Sequence, residues 1–196
     1  INRLFEGTNE INRLLVPGTL LKRAMTGELP LLAAAKTVSK ELASLSLTSP
    51  EEGLPGLLQL VQKAKKVCLM VSGLAAQNLG NEIKDNQYVL LGLAEMILQT
   101  YSMESAVLRA IKVQDMNLSE EHKSFVEKAA TLTTFSAFNI LEAQAKEVVC
   151  AVDKGDTQQT VLAGIRKLVR RPNVDMIGLR QQIAQAVIEK GKYPVR

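Results

Sequence analysis

The sequence predicts an all-α protein: an antiparallel up-and-down helical bundle with shorter helices packed at its ends. Three observations carry that expectation. Apolar residues recur with the three-and-four spacing of one helical face, as at Leu57, Val61, Ala64, Cys68, Val71 and Ala75. No stretch alternates apolar and polar residues with period two over the length of a strand. Three long periodic stretches are joined by short, turn-rich connections, the pattern of antiparallel neighbours.

In chain order, Thr8 caps a first helix whose first turn holds Glu10 and Ile11, and this helix runs from about Asn9 to Val16. Pro17-Gly18 predicts a break, with a second short helix from about Thr19 to Gly27. An Ala- and Leu-rich helix follows from Pro30 to Leu47 and is ended by the cluster "SLTSPEEGLPG". The helix from about Leu57 to Leu79 closes at Gly80-Asn81. Asp85-Asn86 precede a helix carrying Val89, Leu90, Leu93, Ile97, Tyr101, Val107, Leu108 and Ile111, which should reach about Val113. In "DMNLSEEHK" Ser119 is the cap of a helix to about Val152, with acidic residues in its first turn. "DKGDT" makes Asp156 or Thr157 the cap of a helix to about Val169, and Arg171-Pro172-Asn173 separate it from a last helix over about Asp175 to Glu189.

Composition narrows the function classes. At 196 residues the chain can bury a full core, enough for one domain and a fraction of another. It begins with Ile1 rather than methionine, so a piece of something longer is expected. No apolar run approaches the ~18 to 20 residues of a membrane span, since "VCLMVSGLAA" is interrupted by Ser72 and Gly73. No signal peptide is readable. Cys68 and Cys150 lie in apolar helical patterns and read as buried free thiols, which favours a reducing interior. The net charge of +4 is scattered: Lys63, Lys65 and Lys66 form one group, and Arg166, Lys167, Arg170 and Arg171 form another that reads as a solvated helix end. With three Tyr, four Phe and no Trp to stack bases, nucleic-acid binding is not expected. The only histidine, His122, leaves no pair of Glu-x-x-His units for a di-iron bundle and reads as an exposed residue of a first helical turn. No Cys-His cluster offers a metal site. "GTLLKRAMTG" lacks the Gly-Lys-Ser/Thr ending of a phosphate loop.

The stretch "FEGTNEINRL", Phe5 to Leu14, asks for more. Glu6 lies just outside the helix, on the connection that leads into it, and Gly7 lets the backbone pass close to a neighbour. The match over Arg3, Phe5, Glu6, Gly7, Thr8, Asn9, Glu10, Ile11 and Arg13 resembles the sequence with which acyl-CoA dehydrogenases close their active site. That resemblance implies an FAD-dependent enzyme that α,β-dehydrogenates fatty acyl-CoA thioesters in fatty acid β-oxidation. It implies that Glu6 is the catalytic base and that its backbone N–H is one oxyanion donor. Burial beside acyl chain and flavin would raise the proton affinity of the carboxylate, and hydrogen bonds to the thioester oxygen would stabilise the enolate. By the same resemblance Gly7 leaves room for the thioester end of the substrate, and Thr8, Asn9 and Glu10 touch FAD.

The rest of the chain fits the long-chain branch, similar to very-long-chain acyl-CoA dehydrogenase, which carries an additional helical domain after this motif. "LAEMILQTYSMESAVLRA" resembles part of that domain, with Ser102 where glycine is expected. Residues 1–27 are thus expected to be the edge of a catalytic helical domain and residues 28–196 the additional bundle. The resemblance further implies electron-transfer flavoprotein as acceptor and a homodimer. It implies a bacterial cytoplasm, or a mitochondrial matrix in a eukaryote, with peripheral membrane contact left open. FAD is not expected on residues 1–196 alone. Two other readings stay open: a helical interaction or assembly module with an idle motif, and an acyl-CoA oxidase, in which oxygen reaches the reduced flavin.

Overall fold

The computed structural model describes residues 3–44 and 51–192. Seven helices follow one another among them: α1 (Asn9–Met25), α2 (Leu31–Ser44), α3 (Gly53–Leu79), α4 (Gln87–Gln114), α5 (Glu120–Val152), α6 (Asp156–Leu168) and α7 (Met176–Lys190). A 3₁₀ turn, Gly80–Asp85, joins α3 to α4. No strand occurs among the described residues, and no helix there is long and apolar enough to cross a membrane.

The centre is formed by α3, α4 and α5, which pack on one another; α1 lies on α4, α2 on α3, α6 on α3 and α5, and α7 on α5. Their buried faces supply Leu60, Val61, Val67 and Val71 from α3, Leu93, Met96, Met103 and Val107 from α4, and Phe138 and Leu141 from α5. Two glycines set how closely helices approach. A Cβ on Gly92 of α4 would lie 2.5 Å from Val148 Cγ2 of α5, and one on Gly73 of α3 would lie 2.5 Å from Ala35 Cβ of α2. Side-chain caps start four helices: Thr8 for α1, Asn86 for α4, Ser119 for α5 and Asp175 for α7, the last accepting from both Ile177 N and Gly178 N. Each such cap stabilises its helix by about 1 kcal/mol.

Several expectations need correction. Pro17 does not divide α1, which is continuous to Met25. A proline inside a helix forgoes one hydrogen bond and costs about 3 kcal/mol. Here its ring is buried on the same face as Leu21, one turn on, and packing holds the helix through it. The helix read from Leu57 begins at Gly53, because the Leu54-Pro55 pair sits in its first turn, where a proline is tolerated. Leu47, the expected end of the Ala- and Leu-rich helix from Pro30, lies outside the described residues. Tyr101 and Leu108 face solvent at 71% and 50% exposure, so the buried stripe of α4 is narrower than its apolar content suggests. Neither Asp156 nor Thr157 caps α6; Gly155 holds that position without a side-chain bond. Both cysteines are free: Cys68 is half-buried, packed against the core with its thiol desolvated, whereas Cys150 is exposed on α5.

Arg171 is not part of a solvated helix end. Its guanidinium donates to Glu142 Oε2 at 3.0 Å, to Val169 O at 2.8 Å and to Asn139 Oδ1 at 2.6 Å, and lies 5.0 Å from the centroid of the Phe138 ring. Glu142 also accepts from Lys146 at 2.6 Å. Lys63 Nζ on α3 donates to Arg170 O at 2.9 Å, so the link between α6 and α7 is tied to two core helices.

Candidate functional site

The segment Arg3–Thr8 and the first turn of α1 form the candidate site. Thr8 Oγ1 accepts from Ile11 N at 3.4 Å and Thr8 O from Asn12 N at 2.9 Å, while Asn9 N donates back to Arg3 O at 3.2 Å. These bonds fold the five residues before Asn9 into a tight loop. Within it Glu6 has φ 57 and Gly7 φ 91. Glu6 is the one non-glycine residue with positive φ among the described residues. Such a conformation costs about 1 to 2 kcal/mol for an L-residue with a Cβ, and strain of that kind gathers at functional positions. Gly7 pays no such penalty.

One further side chain completes the loop. Asn12 Nδ2 donates to Gly7 O at 2.8 Å. A Cβ on Gly7 would lie 2.8 Å from Asn12 Oδ1, so the amide fits against Gly7 only because Gly7 has no side chain. A hydrogen bond of this type contributes about 0.5 to 1.5 kcal/mol, the same scale as the strain at Glu6. Next along the helix, Arg13 Nη2 meets Glu95 Oε2 of α4 at 3.1 Å, which ties the start of α1 to the bundle. Glu95 in turn accepts from Gln99 Nε2 at 2.6 Å.

The sequence-predicted residues are therefore contiguous on one surface. Glu6, Gly7 and Glu10 are exposed, and Thr8 and Asn9 are half-buried. Leu4 and Phe5, flanking Glu6, are 73% and 54% exposed. The apolar walls that general-base chemistry at Glu6 requires are thus not supplied by the described residues. The Glu10 N–H at the start of α1 has no hydrogen-bond partner among them, as expected of a first helical turn. An unpartnered N–H, two half-buried polar residues and a glycine cradle fit one edge of a site for an anionic or polar cofactor. Along α1 an open groove of about 620 Å³ has an apolar floor that includes Leu14, Leu21, Ile83 and Leu90, with Lys22 and Lys84 beside it.

His122 is half-buried in the first turn of α5 rather than exposed; its backbone N–H donates to Ser119 Oγ at 3.3 Å, and its side chain has no polar partner among the described residues. No group of His, Cys, Asp and Glu among the described residues could hold a metal ion. Asn12 was not singled out in the sequence. The signal that points to it is a short amide one turn inside a helix that follows a glycine loop, a residue type that commonly bonds back to nearby main chain.

The family model described as "Acyl-CoA dehydrogenase, C-terminal domain" matches residues 63–167. A protein of Bacillus subtilis (strain 168), described as "Probable acyl-CoA dehydrogenase", is 41% identical across 100% of this chain and 33% of its own length. A solved structure, an acyl-CoA dehydrogenase complexed with FAD from Bacillus anthracis, superposes with a TM-score of 0.90 at 42% identity, over 98% of this chain and 32% of that one. The chain spans about a third of the length of these relatives.

Proposed function

The chain belongs to the acyl-CoA dehydrogenase family, and from that premise we propose that it is the C-terminal part of an FAD-dependent enzyme that α,β-dehydrogenates fatty acyl-CoA thioesters, with Glu6 as the base. The observation that carries the reading is the strained Glu6-Gly7 pair at the capped start of α1. A carboxylate held at positive φ in an exposed loop has no stabilising role among the described residues, and its strain is accounted for if the loop aims it at a substrate.

The residues act as follows. The Glu6 carboxylate removes the proton from the carbon next to the thioester carbonyl, and the electron pair of that C–H bond becomes the new double bond. The hydrogen on the next carbon leaves with its pair as hydride. When bound, FAD supplies the acceptor for that hydride. The Glu6 N–H donates to the thioester oxygen as negative charge builds there. Gly7 keeps space beside it, and Thr8, Asn9 and Glu10 hold the polar edge of the cofactor through the start of α1. Residues 1–27 belong in this reading to the catalytic helical domain and residues 28–196 to an additional bundle, as in the long-chain branch. Electron-transfer flavoprotein as acceptor and a homodimeric assembly complete it. Residues 1–196 provide one edge of the site only, so by themselves they bind no FAD and turn over no acyl-CoA.

The test is Glu6→Gln in the full-length protein. The amide keeps size and hydrogen bonding but takes no proton, so flavin and acyl-CoA binding persist while bleaching of the flavin by substrate slows by about 10²- to 10⁴-fold. Bleaching at the unaltered rate would place the base elsewhere.

A further inference from the structure

We propose that Asn12 is a positioning residue for Glu6, locking the Gly7 joint on which the base is carried; this rests on the reading of Glu6 as the base. The loop needs glycine at position 7, where φ is 91 and a Cβ would run into Asn12 Oδ1. Glycine is also the residue with the most backbone freedom. A base mounted one residue before a glycine hangs from the helix by the softest joint the chain possesses. Asn12 removes that freedom. Its Nδ2 holds the Gly7 carbonyl at 2.8 Å from within the helix, fixing the peptide that follows Gly7 against the first two turns of α1. The neighbouring Arg13 is bound to Glu95 of α4, so the clamp is referred to the bundle and not to a free helix end. Beyond Gly7, Asn9 N to Arg3 O closes the other side of the loop. Glu6 sits between these two ties with its own strained φ, and neither tie touches its side chain. Asn12 therefore acts through the main chain: it sets where the carboxylate and the Glu6 N–H point.

Positioning of a reacting group matters steeply, since a misplacement of about 1 Å can lower a rate by about 10²-fold. The experiment compares Asn12→Ala, Asn12→Asp and Asn12→Gln in the full-length protein, with Glu6→Gln alongside. Aspartate keeps the shape but, ionised, has no donor for the Gly7 carbonyl; glutamine keeps the donor on a longer arm. The expected result is that Ala and Asp both lower kcat by about 10- to 100-fold, leave KM within about twofold and enlarge the isotope effect with α-deuterated substrate. Gln recovers part of the rate. Independently of turnover, hydrogen exchange in the flavin-free protein should quicken across Phe5–Ile11 in the Ala and Asp variants and stay unchanged in α3 and α5. Unaltered kcat and isotope effect in Asn12→Ala or Asn12→Asp, with Glu6→Gln inactive, would overturn the positioning role and leave the base in place. A fully active Glu6→Gln would overturn the base itself, and the proposal with it.

Discussion

Adding one methyl group at Gly92 should destabilise the protein, while the same change at Gly18 should stabilise it. Both glycines lie inside helices, where replacing glycine by alanine gains about 0.5 to 1 kcal/mol through reduced chain freedom in the unfolded state. At Gly18 nothing lies within 4 Å of the new Cβ, so that gain should be seen nearly whole. At Gly92 the new Cβ would lie 2.5 Å from Val148 Cγ2, far inside van der Waals contact. Val148 is 3% exposed and β-branched on a helix, with one strongly preferred rotamer, so it cannot swing aside. Overpacking of that kind costs about 1 to 3 kcal/mol. The propensity gain offsets only part of it, leaving Gly92→Ala destabilised by roughly 0.5 to 2 kcal/mol. Val148→Ala alone removes two buried methyl groups, a loss of about 1.6 kcal/mol before any cavity term. In the double variant the alanine methyl enters the space the valine leaves, so the pair should be more stable than the sum of the singles by about 0.5 to 2 kcal/mol. Urea unfolding with a constant m-value measures the four variants against wild type. A Gly92→Ala protein stabilised as much as Gly18→Ala, or strict additivity with Val148→Ala, would refute the close approach of α4 and α5.

The two thiols should separate cleanly: burial pushes Cys68 up to about 11 despite its 3.3 Å contact with Thr100, whereas Cys150 is exposed. A thiol reagent at pH 8 should consume one equivalent quickly and the second only after unfolding, and equal rates would contradict this. Glu142 is partly buried, which opposes its ionisation, but the bonds from Lys146 and Arg171 outweigh that and hold its carboxyl below the ordinary range. A depressed carboxyl stabilises the fold above the unfolded value near 4.3 and loses that contribution as pH falls through the folded value. The stability gap between wild type and Glu142→Gln should therefore be full at pH 7 and close below about pH 4; a gap independent of pH would sink the assignment. Leu93, 1% exposed, should cost about 2 to 5 kcal/mol when cut to Ala. His122→Ala, whose side chain has no polar partner among the described residues, should change stability by no more than about 0.5 to 1 kcal/mol by the same measurement.

What could be read in advance divides along physical lines. The long helices α4 and α5 were legible almost to the residue because their caps, Asn86 and Ser119, are local chemistry that the side chain performs on its own main chain. Pro17 misled for the converse reason: its local cost is real, but tertiary burial beside Leu21 overrides it, and burial is not local. Cys150 reads as buried from its apolar helical pattern, yet apolar character says what a face tolerates and not whether a partner covers it, as the exposed Tyr101 and Leu108 of α4 also illustrate. Arg171 reads in the sequence as one of a group of four cations at a solvated helix end; its partners Asn139 and Glu142 are about 30 positions back on α5, a separation that only the fold closes. At the candidate site the glycine and the cap were visible as residue types. The positive φ at Glu6 was not, since glutamate carries no preference for it.

That last feature sets two kinds of selection against each other at one codon. A library randomised at residue 6 and screened for heat resistance alone should drift toward Gly, Asn and Asp, the residues that adopt φ near 57 most readily. Gly and Asn lack a carboxylate, and Asp holds one on an arm shorter by a methylene. A screen for turnover, on the proposed reading, retains Glu and accepts the less comfortable backbone. Which amino acid wins at this position would report which pressure the protein was under, in a way that no core position could.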